Sequence, residues 1–352
     1  MSRVMSDPWC SGVIPPYMLD RLTRHASPRV RQRALSTLRL EAQVRSLRAT
    51  AAAAPAGMRA PATAASPPGR VSRAVHSAAN GTGLPGLLVR AEGQPPSGDP
   101  AVDEAYEHLG ATYDLFWQVY RRHSIDNAGL PLVGTVHYGE DYDNAFWNGA
   151  QMVFGDGDGE VFNRFTVAVD IVGHELSHGV IDHEAGLRYQ GQSGALNESL
   201  SDVFGSLVKQ HRAGQTADQA DWLIGAGLFT SAVNARALRS MAQPGSAYDD
   251  PALGKDPQPA HMQDYVDTTD DKGGVHINSG IPNRAFYLAA TALGGPAWQR
   301  AGRVWYDALR DKRLGAQADF ASFATLTIEA ASADAATRQA VREAWRQVGV
   351  LP

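Results

Sequence analysis

The segment His174-Glu175-Leu176-Ser177-His178 constrains this chain more than any other. It has the form H-E-x-x-H and follows an apolar run, Val167-Ala168-Val169-Asp170-Ile171-Val172. In a helix, residues four apart project from one face, so the two imidazoles stack over a common point. Imidazole nitrogen suits zinc, and Glu175 would lie beside the metal, where it takes a proton from water. The pattern alone leaves an alternative open, because a surface helix carrying two solvated histidines reads the same.

A hydrolytic zinc site needs a third protein ligand and one open position. Glu198 follows twenty residues after His178, within Gly194-Ala195-Leu196-Asn197-Glu198-Ser199-Leu200-Ser201-Asp202-Val203-Phe204-Gly205. Leu196, Leu200, Val203, Phe204 and Leu207 recur at helical spacing, which predicts a second buried helix. Glu198 and Asp202 share one face of it. One carboxylate there can ligate zinc while the other accepts the free ring N–H of a ligand histidine. Two acids on an otherwise apolar helix need partners, since unpaired buried charge is costly; an exposed acidic edge is the competing reading. A third cluster, Asp271-Lys272-Gly273-Gly274-Val275-His276-Ile277-Asn278-Ser279-Gly280, reads as a Gly-broken loop running into a helix at Ile281 to Ala285. Attack of water on a peptide carbonyl builds an oxyanion, which an N–H-donating His276 can stabilise with Asp271 orienting it. A lone histidine in such a loop is otherwise structural or solvated.

Taken in order, these motifs resemble the thermolysin-type neutral metallopeptidases, and more closely their protealysin-type branch. The likeness runs from about Val75 to the C-terminus. It includes Tyr142-Asp143-Asn144-Ala145-Phe146-Trp147-Asn148-Gly149, the Gly155-to-Gly159 turn and Leu238-Arg239-Ser240-Met241, besides the three segments above. The resemblance implies that His174, His178 and Glu198 ligate one catalytic Zn2+, with Glu175 as general base and Asp202 behind His174. It implies that Tyr189 and His276 stabilise the tetrahedral intermediate, with Asp271 behind His276. Asn144 and the Ala145 carbonyl would hold the substrate backbone, and Arg239 would grip a substrate carbonyl. Phe162, Phe165, Ile171 and Leu238 would line the pocket for the residue after the cleaved bond, although each also reads as ordinary core. An apolar pocket favours Leu, Phe or Ile there, discriminating by roughly 1–3 kcal/mol per methylene-scale change. The implied fold is α+β with two lobes. A β-rich N-terminal lobe (75–190) carries the zinc helix at the floor of the cleft, and a helical lobe (191–352) closes the other side.

The chain departs from the family pattern at calcium. Thermolysin itself has a double Ca2+ site. Here Asp170 and Asp221 remain at two of its positions, but Lys209, Leu223 and Ala226 stand at others. Calcium takes six to eight oxygen ligands, so Lys209 is expected to pair with Asp170 or Asp221 in place of metal charge, and the double site to be absent. Gly155-Asp156-Gly157-Asp158-Gly159-Glu160 lacks the twelve-residue calcium loop and reads as a tight turn.

Charge divides the sequence. Residues 1–73 hold twelve arginines against Asp7, Asp20 and Glu41, a net of +9, which leaves −14 on the rest and −5 on the whole. Val30 to Leu47 reads as a basic amphipathic helix, and Ile14-Pro15-Pro16-Tyr17 resembles the short Pro-Pro-Tyr motif at the front of protealysin-type precursors. The expected organisation is a basic propeptide (1–48), an Ala/Pro-rich linker (49–74) with a maturation cut near Arg70 to His76, and the two catalytic lobes. The propeptide would act as an intramolecular inhibitor lying on its acidic enzyme. Cys10 is the only cysteine, which excludes an internal disulfide; it reads as an incidental thiol or as a zinc ligand of the latent form. With no run of eighteen apolar residues, no membrane span is expected. The N-terminus shows no basic stretch leading into an apolar run, so the protein is expected to be secreted by a route without a visible signal peptide, or cytoplasmic until release.

The reading is therefore a zinc-dependent endopeptidase cutting protein or peptide substrates before apolar residues, a monomer without nucleic-acid partners. The alternative is a non-enzymatic zinc-binding or toxin-associated protein on a peptidase scaffold. That alternative calls for a damaged base or oxyanion group, and Glu175, Tyr189 and His276 are all intact.

Overall fold

Two prolines set the first elements: Pro16 opens helix α1 (Pro16–Leu22) and Pro28 opens α2 (Pro28–Ala53), since a fixed φ suits the first helical turn and the missing N–H is not needed there. The computed structural model describes residues 12–53 and 65–352, and Cys10 lies outside them. On α2, Val30, Ala34, Thr37 and Glu41 are buried. Their spacing puts them on one stripe of a helix, which faces the N-terminal lobe.

That lobe is built on a five-stranded sheet of β1 (Arg73–Ser77), β2 (Leu87–Ala91), β3 (Leu132–Val136), β4 (Ala145–Trp147) and β5 (Met152–Phe154), in the order β2-β1-β3-β5-β4. β1, β3 and β5 run parallel, while β2 and β4 pair antiparallel at the two edges. A parallel β1–β3 pair needs a crossover, and α3 (Pro100–Tyr120) supplies it, capped by Asp99, which accepts from the Ala101 N–H. β3 stops at Val136 because His137 turns to φ 53°. There the His137 ring bridges Asp156 and Asp99 at 2.8 Å each.

Helices α4 (Val169–Glu184) and α5 (Gly191–Ala213) cross at Gly173 and Gly205. A Cβ on Gly205 would stand 2.4 Å from the Asp170 carbonyl oxygen and 3.0 Å from the His174 nitrogen, so only glycine permits this approach. The remainder is helical: α6 (Asp271–Asn278), α7 (Gly280–Leu293), α8 (Ala301–Leu309), α9 (Phe320–Ala330) and α10 (Ala335–Gln347). Trp305 stacks on Trp345, whose indole N–H donates to Thr327. Short ribbons β6 (Leu223–Ile224) with β7 (Arg239–Ser240), and β8 (Asp249–Asp250) with β9 (Gly254–Lys255), connect α5 to α6. Among the described residues no helix is long and apolar enough to cross a membrane.

Three sequence expectations meet the structure here. Lys209 reaches both acids, not one: Nζ lies 3.3 Å from Asp170 and 2.8 Å from Asp221, and also donates to the Leu223 carbonyl. The Gly155–Glu160 segment is a tight turn whose Asp158 accepts three backbone N–H groups, from Glu160, Val161 and Phe162. The span between propeptide and lobe differs from 49–74. α2 continues to Ala53, and the chain is tied down again from Ser66, whose N–H donates to Gly129 O and whose carbonyl meets His123 Nε2 at 2.8 Å. β1 begins at Arg73 and is paired on both sides.

Candidate active site

The H-E-x-x-H segment lies in α4, with His174, Glu175 and His178 all buried. Glu198 and Asp202 project from α5, which the Gly173–Gly205 crossing holds close enough for side chains to meet. His174 Nδ1 lies 2.8 Å from Asp202. His178 Nδ1 lies 2.7 Å from the Asn197 carbonyl oxygen and 2.9 Å from the Ser201 hydroxyl. Asn197 was not singled out in the sequence, yet its amide NH2 donates to Leu187 O, which fixes its oxygen toward His178.

Those partners settle the tautomers. A carboxylate and an amide oxygen only accept, so both Nδ1 atoms carry hydrogen and both Nε2 atoms present lone pairs. The two Nε2 atoms face each other at 3.0 Å, and each stands 3.5 Å from a Glu198 oxygen. Glu198 Oε2 is buried without a hydrogen-bond partner among the described residues. Three electron-pair donors of the N, N, O type thus converge within 4.8 Å, an arrangement that is repulsive by itself and is satisfied by a cation at its centre. The donor set fits zinc. Burial keeps His178 neutral, with its pKa down at about 4, as ligation requires. Burial disfavours the Glu198 carboxylate, but its charged neighbours, His276 first, outweigh it and hold the pKa down at about 2.

Asp202 is the hub behind the site. It accepts from Arg239 Nε at 2.7 Å and Nη2 at 2.8 Å, and from the Asn283 amide at 2.8 Å. Arg239 is buried, and its Nη1 has no hydrogen-bond partner among the described residues; a carbonyl oxygen brought there would complete it.

On the far side, the segment from Asp271 to Gly274 has four successive positive φ values (49°, 52°, 88° and 71°) before the helical turn carrying His276. The expected Gly-broken loop is therefore compact and runs into a helix one turn earlier than Ile281. It folds Asp271 back, so that its carboxylate accepts from the His276 N–H and lies 2.7 Å from Nδ1. Burial opposes the charged ring, but Asp271 and Glu198 prevail and push His276 up to about 9. Tyr189 hydroxyl lies 3.2 Å from His276 Nε2 and donates to Glu198. Gln258, not foreseen, holds the His276 carbonyl.

Glu175 is oriented by the Trp147 backbone N–H, which donates to Oε2 at 2.9 Å. Trp147 ends the edge strand β4, whose other end is Ala145, beside Asn144. Phe162, Phe165, Ile171 and Leu238 are fully buried in one core. Phe162 packs on Phe165, and Ile171 and Leu238 close together over Gly225.

The N-terminal segment occupies the edge of β4. Val13 N–H donates to Ala145 O at 3.0 Å and Ile14 N–H to the Asn144 side-chain oxygen at 2.9 Å. A Cβ on Gly12 would stand 2.6 Å from Asn144 and 2.7 Å from Ala145 O, so the fit requires glycine. Glu41 of α2 accepts from the Asn144 amide, and Tyr17 of α1 hydrogen-bonds Tyr248. α2 thus rests on the N-terminal lobe, while α1 reaches residues of the C-terminal part.

Comparisons agree with this architecture. The thermolysin metallopeptidase catalytic-domain model matches residues 90–182, and the thermolysin metallopeptidase alpha-helical-domain model matches 185–350. An extracellular metalloprotease of Pectobacterium carotovorum subsp. carotovorum is 56% identical over 347 residues, covering 98% of this chain and 97% of that protein. A thermolysin of Alicyclobacillus acidocaldarius subsp. acidocaldarius is 42% identical over 240 residues, covering 65% of this chain and 41% of that protein. The precursor of protealysin, a metalloproteinase from Serratia proteamaculans, superposes with a TM-score of 0.88 at 57% identity, covering 97% of this chain and all of that one. With both domains of one family matched in order around a His174–His178–Glu198 cluster, this chain belongs to the thermolysin family of metallopeptidases and is a zinc endopeptidase made as a precursor.

Proposed function

We propose that Glu175 is the general base and acid of peptide hydrolysis here, and that residues 12–43 keep the precursor latent by lying where substrate lies. Zinc held by His174, His178 and Glu198 would supply Lewis-acid chemistry, polarising a carbonyl and acidifying water. The protein's own groups do the rest. Glu175, aimed by the Trp147 N–H, takes the proton of the attacking water and returns it to the leaving amine. His276, steadied by Asp271, and Tyr189 donate to the oxygen that becomes negative. Asp202 keeps His174 in the ligating tautomer and leaves Arg239 Nη1 free for a substrate carbonyl.

Asn144 and the Ala145 carbonyl hold the substrate backbone against β4 by edge pairing. Phe162, Phe165, Ile171 and Leu238 favour an apolar residue after the cleaved bond. The observation that carries latency is the pairing of Val13 and Ile14 with those same two backbone-holding groups. The maturation cut precedes Ser66: a cut at Arg70 to His76 would sever or undermine β1, a strand paired on both sides. The enzyme acts outside the cell, as the extracellular relatives suggest, and as a monomer.

Intact mass of the zinc-loaded chain over time, beside Glu175→Ala, tests this. Loss of an N-terminal piece ending before Ser66 in the wild type alone supports the reading. Equal clipping of both chains, or a mature start beyond Arg73, would overturn it.

A further inference from the structure

The Thr37 face of α2 reports on more than backbone mimicry. Along this helix, Glu41 meets the Asn144 amide, Thr37 accepts from the Asp143 N–H, and Arg33 meets Asp141 and donates to the Asp158 carbonyl at 2.7 Å. Arg33 is only 12% exposed in this position. Its surroundings are acidic beyond what it pairs with. Asp143 Oδ1 and Asp158 Oδ2 are buried without hydrogen-bond partners among the described residues. Burial and the neighbouring charge of Asp158 push the Asp143 carboxyl well above the usual carboxylate range, while Arg33 opposes them. At the rim Glu160 meets Arg29 at 3.4 Å. When α2 departs, Asp141 loses its ion-pair partner and the acids beside it lose the neighbouring cation. The vacated place has the charge and the carbonyl acceptor to take a guanidinium.

The position relative to substrate follows from the same contacts. Val13 pairs with Ala145 and Ile14 with Asn144, so a chain laid on β4 runs C-terminally as the lobe's numbers fall. Glu175 sits at the Trp147 end; the Asn144 end, and Asp143 and Asp141 after it, therefore lie beyond the cleaved bond. Arg33 is eight residues from Glu41, about 12 Å along the helix axis, which is three or four residues of extended peptide.

We infer that Asp141, Asp143 and Asp158 form a subsite of the mature enzyme for a basic side chain on the C-terminal side of the cleaved bond, occupied in the precursor by Arg33. This rests on the peptidase reading above. The test uses the processed, zinc-loaded enzyme and a peptide series carrying one arginine, or citrulline as its neutral isostere, at successive positions after the cleaved bond. At a position three or four residues past the one held by Asn144, kcat/KM should favour arginine by about three- to tenfold. The preference should reside in KM, shrink with added salt and fall toward one in Asp141→Asn. A ratio near one at every position in the wild type would overturn the inference, and that measurement needs no variant. So would a preference that survives Asp141→Asn, or one abolished by added calcium, which would assign the carboxylates to a metal. If neither the arginine nor the citrulline peptides are cut at any position, the peptidase reading falls, and this one with it.

Discussion

Helices α4 and α5 are joined by two polar clusters. At the start of α4, buried Asp170 meets Lys209, which also holds Asp221 and the Leu223 carbonyl. One and two turns further along, His174 and His178 meet Glu198, with Asp202 behind. The first cluster carries its own cation on a lysine stem, set between its two carboxylates, so buried Asp170 has its counter-charge within the chain. The second gathers three electron-pair donors, each locked from behind by a second partner, and balances only with a metal. Where the fold needs a permanent tie between two helices, a covalently attached ammonium does it; where it needs an open coordination position, it does not fill the place with a side chain.

The largest effect expected from this contrast is at the second cluster. Glu198→Ala should lose bound zinc, measured by elemental analysis after dialysis, together with peptidase activity. Glu175→Gln should retain zinc and lower kcat by about 10²–10⁴-fold. Zinc loss on substituting Lys209 instead would break the comparison, because the two clusters would then not be independent.

Next is Lys209→Met. It leaves Asp170, only 1% exposed in its side chain, without its counter-charge, while the partner Asp221 is about half exposed. A loss of about 2–3 kcal/mol in chemical denaturation is expected, below the cost of breaking a fully buried pair because Lys209 is partly exposed. Adding Asp170→Asn should restore much of it. Wild-type stability in the single variant would show that the lysine contributes no balance.

The smallest effect separates burial from pairing. His108 is buried like the ligand histidines, but its Nδ1 has no hydrogen-bond partner among the described residues; burial, with Arg212 nearby, lowers its pKa to about 4. The unfolded chain, titrating near 6.5, then binds the extra proton. Its contribution is complete above about pH 6.5 and is lost as pH falls toward 4, on the order of 2 kcal/mol. Unfolding free energy should fall across that window, and His108→Gln should reduce the slope. An unchanged slope would place the acid sensitivity elsewhere.

Much of this molecule is legible along the chain. Periodicity from Leu196 to Leu207 placed the second buried helix, observed as α5. Spacing brought His174 and His178 forward with Glu198 and Asp202 as candidate partners, and the family resemblance implied Glu198 as the third ligand. The structure brings His174, His178 and Glu198 within 4.8 Å. The span between α2 and β1 was less legible, because Ala-rich composition does not distinguish the last turns of a helix from a tether. Nothing in Ser66-Pro67-Pro68-Gly69 announces that its backbone is held by Gly129 and His123.

The sequence by itself determined the two histidines and the pair of acids from which the donor set is drawn, the sign of charge on propeptide and enzyme, and the helices that carry them. These depend on residue type and on spacings of three or four, which a helix converts directly into a shared face. Only the tertiary structure decided which group stands behind each ligand: Asn197 and Ser201 behind His178, Asn283 and Arg239 on Asp202, and the Trp147 amide on Glu175. It also decided that Lys209 serves both acids and that Arg33 enters the acidic hollow beside Asn144. Those contacts join residues from 19 to 125 positions apart in the chain, apart from the nearest Lys209–Asp221 pair. Their geometry is set by how helices and strands pack, at crossings such as Gly173 on Gly205, which no local pattern encodes.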